Sequence, residues 1–209
     1  MILGPVYMSK VLTETSNNSS HFPIISDEVL ANQKLNDFCT QYNESHPIDI
    51  KNIPRITEVE KLLKAIFSNS PYLTRLLFKY PDFSLSIFNK SPDVIIAEIF
   101  SNLENQKENI GTQMELIRIL RVAKAEIALT VGITDITGGW PLRKITKALS
   151  DFAELSLQIS VDYLIKEALL KGDLSHKFNN RVSAHSGYTV LAIGKLGGYE
   201  LNYSSDIDL

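Results

Sequence analysis

One cysteine, Cys39, stands among the 209 residues. A disulfide within the chain is therefore excluded, as is a zinc site built from thiolates, and a reducing compartment is expected. Cys39 reads as a small apolar packing residue rather than a nucleophile. No apolar run reaches the roughly 20 residues that a membrane helix needs. Residues 1–8 are too short, are broken by Gly4-Pro5, and lack the basic start of a secretory signal. A cytoplasmic location follows by elimination. There is no excess of positive charge: the formal net charge is −3, so a general nucleic-acid binder is disfavoured. The four histidines, His21, His46, His176 and His185, have no metal-ligand spacing with carboxylates or with one another. No internal repeat appears, because the helical stretches differ in length and punctuation.

What is present is a soluble-protein composition, 44% hydrophobic and 22% charged, sufficient for a substantial core. Residues 13–20 are rich in Ser, Thr and Asn, and residues 1–25 are expected to be a disordered lead-in. A helical region then extends over 26–180. Ser26 or Asp27 is placed to cap a first helix, and Thr57 with Glu60 has capping-box spacing for a second. Pro71 and Pro81 punctuate short helices, and Pro92 opens a further one reaching about Gln106. From Thr112 to about Val131, apolar residues Leu116, Ile117, Leu120, Ala123, Ile127 and Ala128 recur at helical steps. Arg118, Arg121 and Lys124 add a basic stripe, a solvated face or a docking face for an acidic partner or nucleotide phosphate. After Gly138-Gly139, Trp140 reads as a packing anchor. Pro141 opens the longest helix, to about Lys171, with Ile145, Ala148, Leu149, Phe152, Leu155, Ile159 and Tyr163 on its apolar face, and Gly172-Asp173 ends it.

Residues 181–209 have a different grammar. The apolar run 188–193 reads as a buried strand covered on both faces. It leads into Gly194, a glycine-rich turn and a short helical segment. A second strand is predicted at 206–209, where Asp206 and Asp208, two residues apart, would share one face while Ile207 and Leu209 face a core. A pair of carboxylates on one face suits a hard cation such as Mg²⁺, held between protein oxygens and substrate phosphates. A lone Asp-x-Asp also fits a solvated turn; the preceding strand, glycine turn and Ser204-Ser205 favour the metal reading. The segment is not a Walker A loop, because Leu196 follows Gly194-Lys195 where Ser or Thr is required. Nor is it a dinucleotide fingerprint, since the glycines fall at 194, 197 and 198. The fold class is therefore mainly α: an N-terminal helical domain leading into the first strand-turn-helix-strand of a truncated α/β domain.

The stretch Gly194-Lys-Leu-Gly-Gly-Tyr-Glu-Leu-Asn-Tyr-Ser-Ser-Asp-Ile-Asp-Leu209 closely resembles the signature of the bifunctional glutamine synthetase adenylyltransferase/adenylyl-removing family, within the polymerase-β-like nucleotidyltransferases. Lys195 departs from the superfamily's usual Gly or Ser and agrees with the Gly-Lys-Leu-Gly form of this family. The resemblance implies a nucleotidyltransferase domain beginning at 181–209 and an adenylyl-removing half in which inorganic phosphate attacks the adenylyl-tyrosine bond, releasing ADP and the unmodified tyrosine. A second half of the complete protein would add AMP from ATP. Asp206 and Asp208 would be the catalytic metal ligands. Gly194, Lys195, Gly197, Gly198, Ser204 and Ser205 would line the nucleotide and phosphate side, and Glu200 and Asn202 match the signature with their roles open. Implied cofactors are Mg²⁺ and the nucleotide ATP or ADP. Implied partners are glutamine synthetase, as protein substrate, and a PII-type signalling protein, with no nucleic acid and no membrane. The third carboxylate of such sites is expected on a later strand, so the chain reads as a fragment. Two alternatives stay open: a non-catalytic helical fragment that only binds glutamine synthetase or a PII-type protein, and a nucleotidyltransferase of the same fold acting on a small molecule.

Overall fold

The fold was established from a computed structural model, which describes residues 23–45, 56–174 and 186–209. It is mainly helical. The described elements are α1 (Glu28–Ser45), α2 (Ile56–Asn69), α3 (Pro71–Lys79), α4 (Pro81–Asn89), α5 (Pro92–Gln106), a 3₁₀ turn at Lys107–Asn109, α6 (Gln113–Ile136), α7 (Leu142–Lys171) and the one-turn α8 (Gly194–Gly197). The histidines and residues 13–20 lie outside the described residues. Among the described residues no helix is long and apolar enough to cross a membrane.

Helix starts follow the predicted punctuation. The Asp27 carboxylate accepts from the Leu30 amide at 2.9 Å, and Ser70 Oγ accepts from the Leu73 amide at 3.3 Å, each satisfying an amide that the helix itself leaves unpaired. Pro71 and Pro81 sit at the first turns of α3 and α4, where a missing N–H removes no helical bond. Thr112 Oγ1 accepts from the Glu115 amide while the Glu115 carboxylate accepts from the Gly111 amide. Thr57 falls within α2 as described from Ile56 onward, and its side chain lies outside the described residues.

Two compact units result, residues 1–95 with 128–141 and residues 96–127 with 142–209. In the first, Phe38, Phe67 and Phe78 form a triangle with ring centroids 5.6–5.9 Å apart at tilted or edge-on angles, the arrangement that aromatic quadrupoles favour. Leu62, Ile66 and Leu77 are buried in the same unit. Cys39 is half-buried, and burial pushes its thiol pKa up, with the nearby Glu60 charge adding to the effect. In the second unit the long helix α7 buries Ile145, Ala148, Phe152, Ile159 and Tyr163, the stripe its periodicity predicts; Leu149 and Leu155 are partly buried. Arg118, Arg121 and Lys124 are all exposed, and Trp140 is half-buried.

The tail departs from the sequence reading. Among the described residues there is no strand; the two segments predicted as strands meet in one antiparallel bridge, Ile193 to Asp208. Leu191, expected in a buried strand, is 71% exposed, and Ile207, expected to face a core, is 44% exposed, with Leu209 exposed beside it. The physical reason is that two short extended segments cannot cover their own faces, and no described element lies over these side chains. The order extended segment, turn, short helix, extended segment is nonetheless retained.

Candidate functional site

The site is the loop from Ile193 to Asp208, held against α7. Leu196 and Leu201 are buried from either end of the turn in a cluster with Ala153, flanked by Leu149 and Leu157. The Leu201 amide donates to Ser150 Oγ at 3.4 Å. These contacts leave Lys195, Glu200, Ser204, Asp206 and Asp208 exposed. The sequence dictates this split: apolar residues at 196 and 201 bracket a turn whose remaining positions are glycine, polar or charged.

Three of the backbone contacts decide what the turn can present. The Ile193 amide donates to the Asp208 carbonyl at 2.9 Å, so the backbone of the second aspartate is tied directly beside the start of α8. Gly194 has φ +58°, and a Cβ there would lie 2.6 Å from Asp208 Oδ2. Glycine is thus required twice at this position, for the left-handed backbone and for the space the carboxylate fills. Gly197 is required for a different reason: its Cβ would lie 2.6 Å from the Ala192 carbonyl oxygen. Gly198 has no such neighbour, the nearest atom lying at 3.6 Å.

The Asn202–Ser205 turn is closed on itself. The Asn202 amide donates to Ser205 Oγ at 3.1 Å, Ser205 Oγ donates to Asn202 Oδ1 at 2.8 Å, and the Ser204 amide donates to the same Oδ1 at 3.1 Å. Asn202 is therefore a turn-forming residue here. Ser204 keeps its side chain exposed, whereas the Ser205 hydroxyl is engaged in the turn. All of the sequence-predicted site residues, 194, 195, 197, 198, 204, 205, 206 and 208, thus lie in one turn-bridge-turn assembly. Among the described residues no group of three or more His, Cys, Asp or Glu side chains could share a metal ion. The donors here are carboxylate oxygens only, a set that fits a hard cation retaining several waters, such as Mg²⁺.

Sequence reading missed Tyr199 and Glu154. Tyr199 has φ +57°, its hydroxyl donates to Glu154 Oε2 at 2.8 Å, and Lys147 Nζ lies 5.7 Å from its ring centroid. The hydrogen bond to Glu154 pushes the Tyr199 phenol pKa up. Both residues also line a cavity of about 520 Å³ between α7 and residues 188–199. No local pattern links positions 154 and 199; only the Gly-Gly-Tyr at 197–199, a helix-ending pattern, could have marked the tyrosine.

Comparison with known proteins shows the family. The sequence model described as glutamate-ammonia ligase adenylyltransferase matches residues 60–209. A bifunctional glutamine synthetase adenylyltransferase/adenylyl-removing enzyme of Rhodopseudomonas palustris (strain BisB5) is 34% identical over 147 residues, 70% of this chain and 15% of the relative. Its counterpart in Bradyrhizobium diazoefficiens is 36% identical over 148 residues, 71% and 15% of the two chains. That of Bradyrhizobium sp. (strain BTAi1) is 30% identical over 179 residues, 86% and 18%. The chain spans less than a fifth of the length of these curated relatives. No solved structure matches significantly. With its matched region running from α2 through the bridge between Ile193 and Asp208, the chain belongs to the glutamate-ammonia ligase adenylyltransferase family.

Proposed function

We propose that residues 186–209 form the opening of a nucleotidyltransferase site that removes AMP from a tyrosine of glutamine synthetase by phosphorolysis, as part of a protein that also adds it. The observation that carries this reading is the Asp208 carboxylate fitted into the space left by Gly194, in a chain of this family. Asp206 and Asp208 would hold Mg²⁺, which when bound offsets charge on the reacting phosphoryl oxygens. In removal, an oxygen of inorganic phosphate forms the new bond to phosphorus while the bond to the tyrosine oxygen breaks, giving ADP and free tyrosine. In addition, the tyrosine oxygen attacks the α-phosphorus of ATP and pyrophosphate leaves.

The chain's own residues would act by position. The Ile193–Asp208 bridge fixes where the carboxylate sits before any ligand arrives, so little reorganisation is needed on binding. The Lys195 ammonium, exposed on α8, supplies a positive charge for a phosphate, with Gly194, Gly197, Gly198, Ser204 and Ser205 lining that side. The strand-turn-helix-strand start of an α/β domain, a glutamine synthetase substrate and a PII-type regulator belong to the same proposal. Mn²⁺ titration of the chain, as a Mg²⁺ surrogate, tests its first step: binding that is lost in both Asp206→Asn and Asp208→Asn supports the metal assignment, and binding retained in both defeats it. Association with glutamine synthetase without any Mn²⁺ binding would favour the non-catalytic alternative.

A further inference from the structure

Three helix ends in this protein share one backbone pattern, and the third has an unusual residue in it. At the end of α6 the Gly138 amide donates to Asp135 O and the Gly139 amide to Thr134 O. At the end of α7 the Gly172 amide donates to Leu169 O and the Asp173 amide to Ala168 O. At the end of α8 the Tyr199 amide donates to Leu196 O at 3.0 Å and the Glu200 amide to Lys195 O at 2.8 Å. This double bond closes a helix through one residue in the left-handed region, a place that glycine usually takes. Gly138 and Gly172 take it in the first two, at φ +67° and +81°; in the third it is Tyr199, at φ +57°, alone among the described non-glycine residues in having a positive φ.

A side chain at that position is disfavoured on backbone grounds, so its contacts must hold it there. They are specific. Lys147, Asp151 and Glu154 lie at successive turns along α7. Lys147 Nζ reaches both Asp151 carboxylate oxygens at 2.7 Å and stands over the Tyr199 ring, and Glu154 accepts the phenol hydrogen. The turn that Tyr199 ends is internally bonded: the Gly197 amide donates to Ile193 O and the Gly198 amide to Gly194 O. Fixing its last residue on α7 therefore fixes its first, and Ile193 and Gly194 are the two residues that meet Asp208.

We propose that Tyr199 is a positioning residue for Asp208: clamped on α7 by Glu154 and Lys147, it sets the orientation of the glycine turn against which Asp208 is aligned. In its metal readout the proposal rests on the function proposed above; in its backbone readout it does not.

The test uses the full chain, with Mn²⁺ alone as probe, and four variants. Tyr199→Phe removes the phenol donor and Glu154→Leu its acceptor, whereas Glu154→Gln keeps an acceptor. Tyr199→Gly relieves the backbone and removes the clamp together. Expected are a roughly fivefold faster amide exchange at Ile193 and Glu200 in Tyr199→Phe and Glu154→Leu, the size of one lost hydrogen bond, and near-original rates in Glu154→Gln. The Mn²⁺ dissociation constant is expected to rise in the same two variants and to be rescued in Glu154→Gln. Tyr199→Gly is expected to keep its melting temperature and yet bind Mn²⁺ more weakly, a separation that a merely structural role does not produce. Unchanged exchange at Ile193 in Tyr199→Phe and Tyr199→Gly overturns the proposal, as does a lowered melting temperature with an unchanged dissociation constant. If the unaltered chain binds no Mn²⁺, the metal reading of the aspartates fails, and the exchange rates alone decide for or against the clamp.

Discussion

Asp208 Oδ2 occupies the space that a side chain on Gly194 would need, 2.6 Å from where its Cβ would stand. The neighbouring Gly198, with φ −86° and its nearest non-adjacent atom at 3.6 Å, has no such restriction. Gly194→Ala is therefore expected to disturb the bridge through both a left-handed alanine, about 1–2 kcal/mol, and displacement of the carboxylate. Gly198→Ala should be close to neutral. Amide exchange at Ile193, whose N–H donates to Asp208 O, distinguishes the two: fast in the first variant, unchanged in the second.

Leu77 is fully buried in the first unit. Leu77→Ala removes its packing and leaves a cavity, for an expected loss of about 2–5 kcal/mol. Urea unfolding followed by circular dichroism measures it. An exposed position of similar chemistry, Leu142, should give a change within about 0.5 kcal/mol when cut to Ala.

Because Cys39 is the sole cysteine, its reactivity can be read without ambiguity. Burial raises its pKa above the usual 9.0, so at pH 8 less thiolate is present than in the unfolded chain. Alkylation by iodoacetamide should be slower in the folded protein than in urea at equal pH. The linked effect on stability has a fixed sign: the native state disfavours the thiolate, so stability is undiminished below about pH 9 and falls as pH rises through the raised folded pKa. Cys39→Ala should flatten that alkaline fall.

Glu126 on α6 is half-buried, and desolvation raises its pKa above 4.5. Below the unfolded value it is protonated in both states and has no effect. As pH rises through the folded value the native state must bear a partly desolvated charge, so stability falls. Glu126→Gln should be more stable than the original chain at pH 7 and equal to it near pH 4. Melting temperatures at the two pH values test this.

The helices were legible because their signals are local. Pro71, Pro81 and Pro92 mark first turns, and the apolar steps of α6 and α7 select the faces that are buried. The tail was legible in order and not in structure. An apolar run such as 188–193 specifies that something should cover it; whether it becomes a strand depends on partners, and here Leu191 and Ile193 stay exposed with one bridge between the segments. The predicted site residues were brought into one assembly because the motif is contiguous. Tyr199 and Glu154 escaped notice because their relationship spans 45 positions and exists only once α7 has formed.

The most direct measurement of the proposed function is phosphorolysis of adenylylated glutamine synthetase by a full-length protein carrying this chain, followed as ADP released with phosphate and Mg²⁺ present. The account predicts activity that falls by several orders of magnitude in Asp206→Asn and in Asp208→Asn, each folded as the original. Activity retained in both variants would contradict it.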